Sequence, residues 1–98
     1  MIRILIQRTL LENKEVEYHH LIRKLKQKAS HVSGYVSGEI LVDPEDSLRC
    51  MVISNWENIE SWKAWANSDE RKSTEKMIRK MLARDEKISI YQSDIIKP

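Results

Sequence analysis

Asn55-Trp56-Glu57-Asn58-Ile59-Glu60-Ser61-Trp62-Lys63-Ala64-Trp65-Ala66-Asn67-Ser68 gathers all three tryptophans of the chain into ten positions. The stretch reads as a joint. Trp56 closes a strand, and Asn58 stands where a helix N-cap is expected. Ile59, Trp62, Trp65 and Ala66 then share one side of a short helix, and Ser68 is placed to cap a second one. A tryptophan buries a large apolar area and keeps one N–H that needs a partner. Three of them at a strand-to-helix corner imply either the core of a small domain or the wall of a pocket.

The strand that ends at Trp56 begins near Leu48, and Tyr35 to Asp43 reads as another strand before it. Asp43-Pro44-Glu45-Asp46 between them is a polar turn, so the two strands form a hairpin. Gly38 inside the first of them implies a bulge or a close backbone approach. Further upstream, Ile2 to Thr9 is rich in β-branched residues, with Ile2, Ile4 and Ile6 on one face and Leu5 on the other. From about Glu12 to Ala29 the period changes. Tyr18, Leu21, Ile22, Leu25 and Ala29 recur at helical spacing, opposite a solvated face of Arg23, Lys24, Lys26 and Lys28, and Ser33-Gly34 ends the unit. Downstream, the helix capped by Ser68 carries Asp69 and Glu70 in its first turn, where they complement the helix dipole. Its predicted stripe is Thr74, Met77, Ile78, Met81 and Leu82, and Lys87 to Gln92 follows as a last strand with Ile88 and Ile90.

The order is β-α-β-β-α-β, with the second helical segment broken near Ser68. On a chain of 98 residues it predicts a single domain over residues 1–98. The class is α+β: a ferredoxin-like sandwich with one four-stranded antiparallel sheet and helices on one face. Two helical layers cover only one side of such a sheet. The pattern nevertheless places Val36, Ile40 and Val42 on one face of the second strand, with Tyr35 and Leu41 on the other. The third strand divides likewise into Leu48, Cys50 and Val52 against Met51 and Ile53. A solvated face should alternate more cleanly. The expectation is a homodimer in which two sheets pack face to face into an α+β barrel.

Composition excludes several classes of function. A net charge of +2 is too slight to argue for nucleic acid or an anionic membrane. The single Cys50 leaves no disulfide, and no His or Cys spacing suits a metal, so no metal site is expected. With Gly34 and Gly38 as its two glycines, the chain has no phosphate-binding loop. No apolar run approaches a membrane span, and a reduced cytoplasmic protein is the expected setting. RNA-recognition domains share the order of elements but stack bases on aromatics of the first and third strands. Ile2–Thr9 has no aromatic, and the third strand has none before Trp56.

The element order, the start Gly34-Tyr35-Val36-Ser37-Gly38-Glu39 of the second strand, and the run from Trp56 through Trp65 to Ser68 resemble the antibiotic biosynthesis monooxygenase domain family over nearly the whole chain. The resemblance implies a dimeric ferredoxin-like α+β barrel. It further implies a monooxygenase that needs no cofactor and acts on a small aromatic or quinone-type precursor, with a non-catalytic small-molecule-binding dimer as the alternative. A related branch degrades haem. Its pattern is an Asn late in the first strand, a Trp on the helix after the third strand and a His about ten residues later. Here Gln7 falls at the Asn position, Trp65 at the Trp position and Glu75 at the His position. A carboxylate replaces the imidazole expected on haem iron, so a haem-binding relative is the remotest alternative and no cofactor is expected.

On this reading Trp65 stacks on a substrate ring, Gln7 hydrogen-bonds a substrate oxygen, and Glu75 is the general base. Tyr35, Arg71 and His31 complete the substrate-binding set. Arg71, Glu75, Ile78 and Leu82 recur at spacings of three or four, which continues the apolar stripe toward the end of the helix near Trp65. The partners expected are a second copy of the chain and a small hydrophobic or aromatic ligand, without nucleic acid or membrane.

Overall fold

The computed structural model describes residues 1–93. Strand β1 spans Ile2–Thr9, helix α1 Glu15–Ala29, β2 Tyr35–Asp43, β3 Asp46–Trp56, α2 Ile59–Ala66, α3 Asp69–Arg79 and β4 Lys87–Gln92. The strands form one sheet in the order β2-β3-β1-β4, with every neighbouring pair antiparallel. The helices lie on one face. This is the ferredoxin-like α+β arrangement predicted by the order of elements.

Local chemistry explains the boundaries. The Asn58 side chain accepts from Ser61 N at 2.9 Å and so caps α2, and Ser68 accepts from Arg71 N at 3.3 Å at the start of α3. Helix α1 starts at Glu15, three residues later than the periodicity suggests, because Asn13 adopts a left-handed φ of 67°. Strand β3 begins at Asp46 rather than Leu48, since Asp43 pairs with Asp46 and leaves only Pro44 and Glu45 as the loop.

The core lies between the sheet and the helices. Ile4 and Ile6 of β1 pack against Tyr18, Ile22, Leu25 and Ala29 of α1, with Trp56, Trp62, Trp65 and Ile78 closing the other end. Trp56 is fully buried; the Tyr35 and Trp62 rings meet it edge-on, at centroid distances of 5.3 and 5.9 Å. Two details of the pattern differ from the expectation. A register shift between Tyr35 and Ser37 makes Val36 an extra residue. Tyr35 therefore pairs with Trp56 and joins the helix-facing side, instead of standing with Leu41 on the other. In α3 the buried positions are Arg71, Glu75 and Ile78, whereas Met77 is half exposed. Met77 is two residues beyond Glu75, about 200° around the helix.

Gly34 joins the hairpin to the tryptophan corner. Its φ is +89°, and a Cβ there would overlap Ser61 Oγ, while its carbonyl accepts from Glu57 N at 2.8 Å. Replacing Gly34 by Ala is expected to destabilise the fold by roughly 2 kcal/mol, from strain at positive φ plus the overlap. Urea denaturation measures this. Ser61→Gly in the same background should relieve the overlap but not the backbone strain.

Candidate functional site

Alternation along β1 puts Arg8 on the same face as Ile4 and Ile6, so a guanidinium enters the core with 3% of the residue exposed. Each of its nitrogens has a partner. Nε donates to Glu86 Oε1 at 3.1 Å, Nη1 to the Tyr18 hydroxyl at 3.1 Å, and Nη2 to Glu75 Oε1 at 3.0 Å. Burial pulls the Arg8 pKa down, but Tyr18, Glu86 and Glu75 outweigh it, and the net direction is up. Glu75 also lies 3.0 Å from Arg71 Nη2, one helical turn earlier on α3. That contact also falls on Oε1, and neither guanidinium hydrogen-bonds Oε2.

The Arg71 guanidinium lies over Trp62, with Cζ 5.0 Å from the ring centroid. Its approach to Glu75 is off the line of a hydrogen bond, and Nη2 is buried without an acceptor among the described residues. Burial lowers the Arg71 pKa, and Glu75 offsets part of that. Beside this network a slot of about 40 Å³ runs between the sheet and the helices. Its aromatic walls are Tyr35, Trp56, Trp62 and Trp65, with Lys26 and Arg71 among the lining side chains. Gly38 lets Tyr35 lie close over β2. A Cβ on Gly38 would meet the Tyr35 hydroxyl and sit 3.1 Å from Ile53 O, so the predicted close approach is here and the bulge is at Val36.

The structure brings together only part of the predicted set. Trp65, Arg71 and Tyr35 line the slot, and Glu75 stands next to Arg71. Gln7 lies on the opposite face of the sheet, because Ile6 and Arg8 on either side of it point inward. There it lines an open hollow of about 420 Å³ with Asp43, Arg49, Met51 and Lys87. His31 is exposed just beyond α1 and does not line the slot. The Arg71–Glu75 pair is buried, not a solvated pair on a helix surface. Arg8 and Glu86 were absent from the predicted set. The inward phase of Ile4-Leu5-Ile6-Gln7-Arg8 signals the first, whereas a loop glutamate before β4 carries no periodic signal. Among the described residues, no cluster of three His, Cys, Asp or Glu side chains is arranged to hold a metal ion. No helix among them is long and apolar enough to cross a membrane.

The fold is a single-sheet α+β arrangement with an aromatic-walled slot between sheet and helices. The sequence profile of the antibiotic biosynthesis monooxygenase family matches residues 1–77, and the chain belongs to that family. No curated protein matches it by sequence. Solved structures match along almost its full length. An antibiotic biosynthesis monooxygenase is 14% identical with a TM-score of 0.89, over 97% of this chain and 100% of that one. A conserved protein from Methanosarcina mazei Go1 is 18% identical with a TM-score of 0.90, over 95% and 92%. A point mutant of SnoaB, a cofactor-independent oxygenase from Streptomyces nogalater, is 9% identical with a TM-score of 0.87, over 99% and 96%. At these identities the likeness establishes the fold.

The buried Tyr18 hydroxyl yields a prediction. Burial pushes its pKa from an ordinary 10.0 up to about 12, against the opposing pull of Arg8. The folded state thus keeps this proton to higher pH than the unfolded chain does. The associated stability is complete below pH 10 and is lost as pH rises toward 12, a total of about 2–3 kcal/mol. Denaturation midpoints across this window should fall for the natural chain and fall less for Tyr18→Phe. At neutral pH that variant should be about 1–2 kcal/mol less stable, because Arg8 Nη1 loses its acceptor.

Proposed function

We propose that the chain is a cofactor-independent oxygenase of a small aromatic or quinone-type substrate, bound in the slot between sheet and helices. The observation that carries this reading is the aromatic-walled slot with a buried, incompletely paired guanidinium at its side. Such a site holds a flat ring by stacking and offers a cation to an oxygen that gains negative charge. The substrate itself serves as reductant. A base removes a proton from an activated CH₂ group, and the carbanion passes one electron to O₂. The resulting radical pair joins to a peroxide, which loses water. CH₂ and O₂ become C=O and H₂O, with both hydrogens ending in the water.

Trp65 stacks on the ring, Tyr35 closes the rim, and Arg71 supplies the donor to a substrate oxygen, since Gln7 stands across the sheet. Glu75 is the base through Oε2, the oxygen to which neither guanidinium hydrogen-bonds. His31, exposed beyond α1, has no part in this scheme. An oxygen-electrode assay with a hydroxyanthrone tests it. One O₂ should be consumed per quinone formed, Glu75→Gln should slow turnover at least 100-fold, and Trp65→Ala at least tenfold. Full turnover in both variants would sink the proposal.

One observation favours a second reading, a non-catalytic binding dimer. The slot holds about 40 Å³, less than a bicyclic ring needs, so its own side chains largely fill it. Entry then requires the half-exposed Lys26 and Tyr35 side chains at the rim to move aside. Ligand binding without oxygen uptake would select this second reading.

Under either reading the working form is a homodimer joined through the open face of the sheet. Leu5, Leu41, Met51 and Ile53 lie there among Gln7, Glu39, Arg49 and Asn55, on the side away from the helices. Sedimentation at micromolar concentration should give a dimer, and Ile53→Lys should shift it toward monomer. A natural chain that sediments as a monomer overturns the assembly.

A further inference from the structure

Charge in the slot is one-sided. Its ionisable lining side chains are Arg8, Lys26, Arg71 and the Tyr35 phenol, and no carboxylate is among them. Glu75 and Glu86 lie outside that lining, each with Oε1 on Arg8. Arg8 is fully engaged, with Glu86, Tyr18 and Glu75 each taking one nitrogen. Arg71 is not. Its side chain is 9% exposed, and its counter-ion is the same Glu75 Oε1 that already accepts from Arg8. Its Nη2 makes no hydrogen bond in the structure.

A buried donor without an acceptor is unfavourable, and a buried cation sharing half a counter-ion more so. Both conditions are relieved by one event, the arrival of an anion. An arginine fork matches a carboxylate in geometry, and the Trp62 ring, its centroid 5.0 Å from Arg71 Cζ, packs against this one. The Lys26 stem reaches to 3.5 Å from where a Gly38 Cβ would lie, which brings a second cation to the same slot.

We infer that the slot is built for a planar aromatic carboxylate, with the ring between Trp65 and the sheet, the carboxylate on the Arg71 guanidinium, and Lys26 as the second cation. The inference rests on the slot being the binding site, as proposed above, and adds the charge of its ligand. It makes Arg71 the residue that separates acids from neutral aromatics of the same shape.

Calorimetric titration of the natural chain with 2-naphthoate and with its uncharged counterpart 2-naphthamide, at pH 7, tests it. The acid should bind at least tenfold more tightly, the scale of a charge-assisted hydrogen bond in a buried site. Arg71→Met should bring the two affinities within about twofold, by weakening the acid far more than the amide, whose carbonyl loses only a neutral acceptor's hydrogen bond. Lys26→Met, at a half-exposed position, should lower the acid's preference only a few-fold. Equal binding of both probes to the natural chain overturns the charge assignment and leaves the slot in place. A preference retained in Arg71→Met overturns the role of Arg71. Binding of neither probe overturns the slot as binding site, and this inference with it. The comparison on the natural chain needs no variant. If Arg71→Met shows no cooperative melt, Arg71→Lys replaces it. Lysine keeps the charge but loses the fork, and the preference should then shrink without vanishing; an undiminished preference would count against the fork.

Discussion

Burying Arg8 is the constraint on which the rest of this structure depends. A guanidinium on the inner face of a central strand, beside Ile4 and Ile6, costs several kcal/mol unless anions and acceptors come in with it. They come from three different places. Tyr18 belongs to α1, Glu75 to α3, and Glu86 to the segment just before β4. One side chain of β1 therefore ties down both long helices and the start of the last strand. Replacing Arg8 with an apolar residue would leave Glu75 and Glu86 as buried or half-buried carboxylates without their main cation. That loss is of the order of 3–5 kcal/mol for a broken buried pair. Few apolar contacts in a domain of this size act on so many elements at once.

The slot follows from that arrangement. Once Glu75 must reach Arg8, the rotation of α3 about its axis is set, and Arg71, one turn earlier, is carried inward with it. The Ser68 cap fixes where α3 begins, and Asn58 fixes α2, so Trp62 and Trp65 are held against Trp56 and beside Arg71. The clustered tryptophans thus form one end of the core and also wall the slot. All three are buried and all three line the slot, with Trp56 the most deeply enclosed.

Much of this is legible in the residues. Periodicity of two and of 3.6 places every strand and helix, and the two side-chain caps stand at Asn58 and Ser68 as their chemistry predicts. Failures arise where a single inserted residue or an unexpected partner alters the phase. The bulge at Val36 transfers Tyr35 from one face of the sheet to the other, and no alternation rule anticipates it. Met77 looks like core by type, yet Glu75 and Arg71 take the inward positions because Arg8 supplies their reason to be there. Gln7 shows the opposite error. Placing it beside Trp65 ignores the strand's own alternation, which makes Gln7 and Arg8 neighbours in sequence on opposite faces.

The Arg8–Glu75 pair also gives residue 75 a physical reason to be a carboxylate and not the imidazole that a haem site would need there. A histidine there would leave Arg8 Nη2 and the Arg71 guanidinium without an anion between them. Two buried cations facing a neutral ring that can itself gain a proton repel one another. Conversely, a glutamate whose Oε1 is committed to two guanidiniums is poorly suited to serve as the proximal ligand of an iron. Replacing Glu75 alone would strand the Arg8 guanidinium, and replacing Arg8 alone would strand Glu75. In this chain they form a site that holds negative charge inside the protein and presents positive charge to the slot.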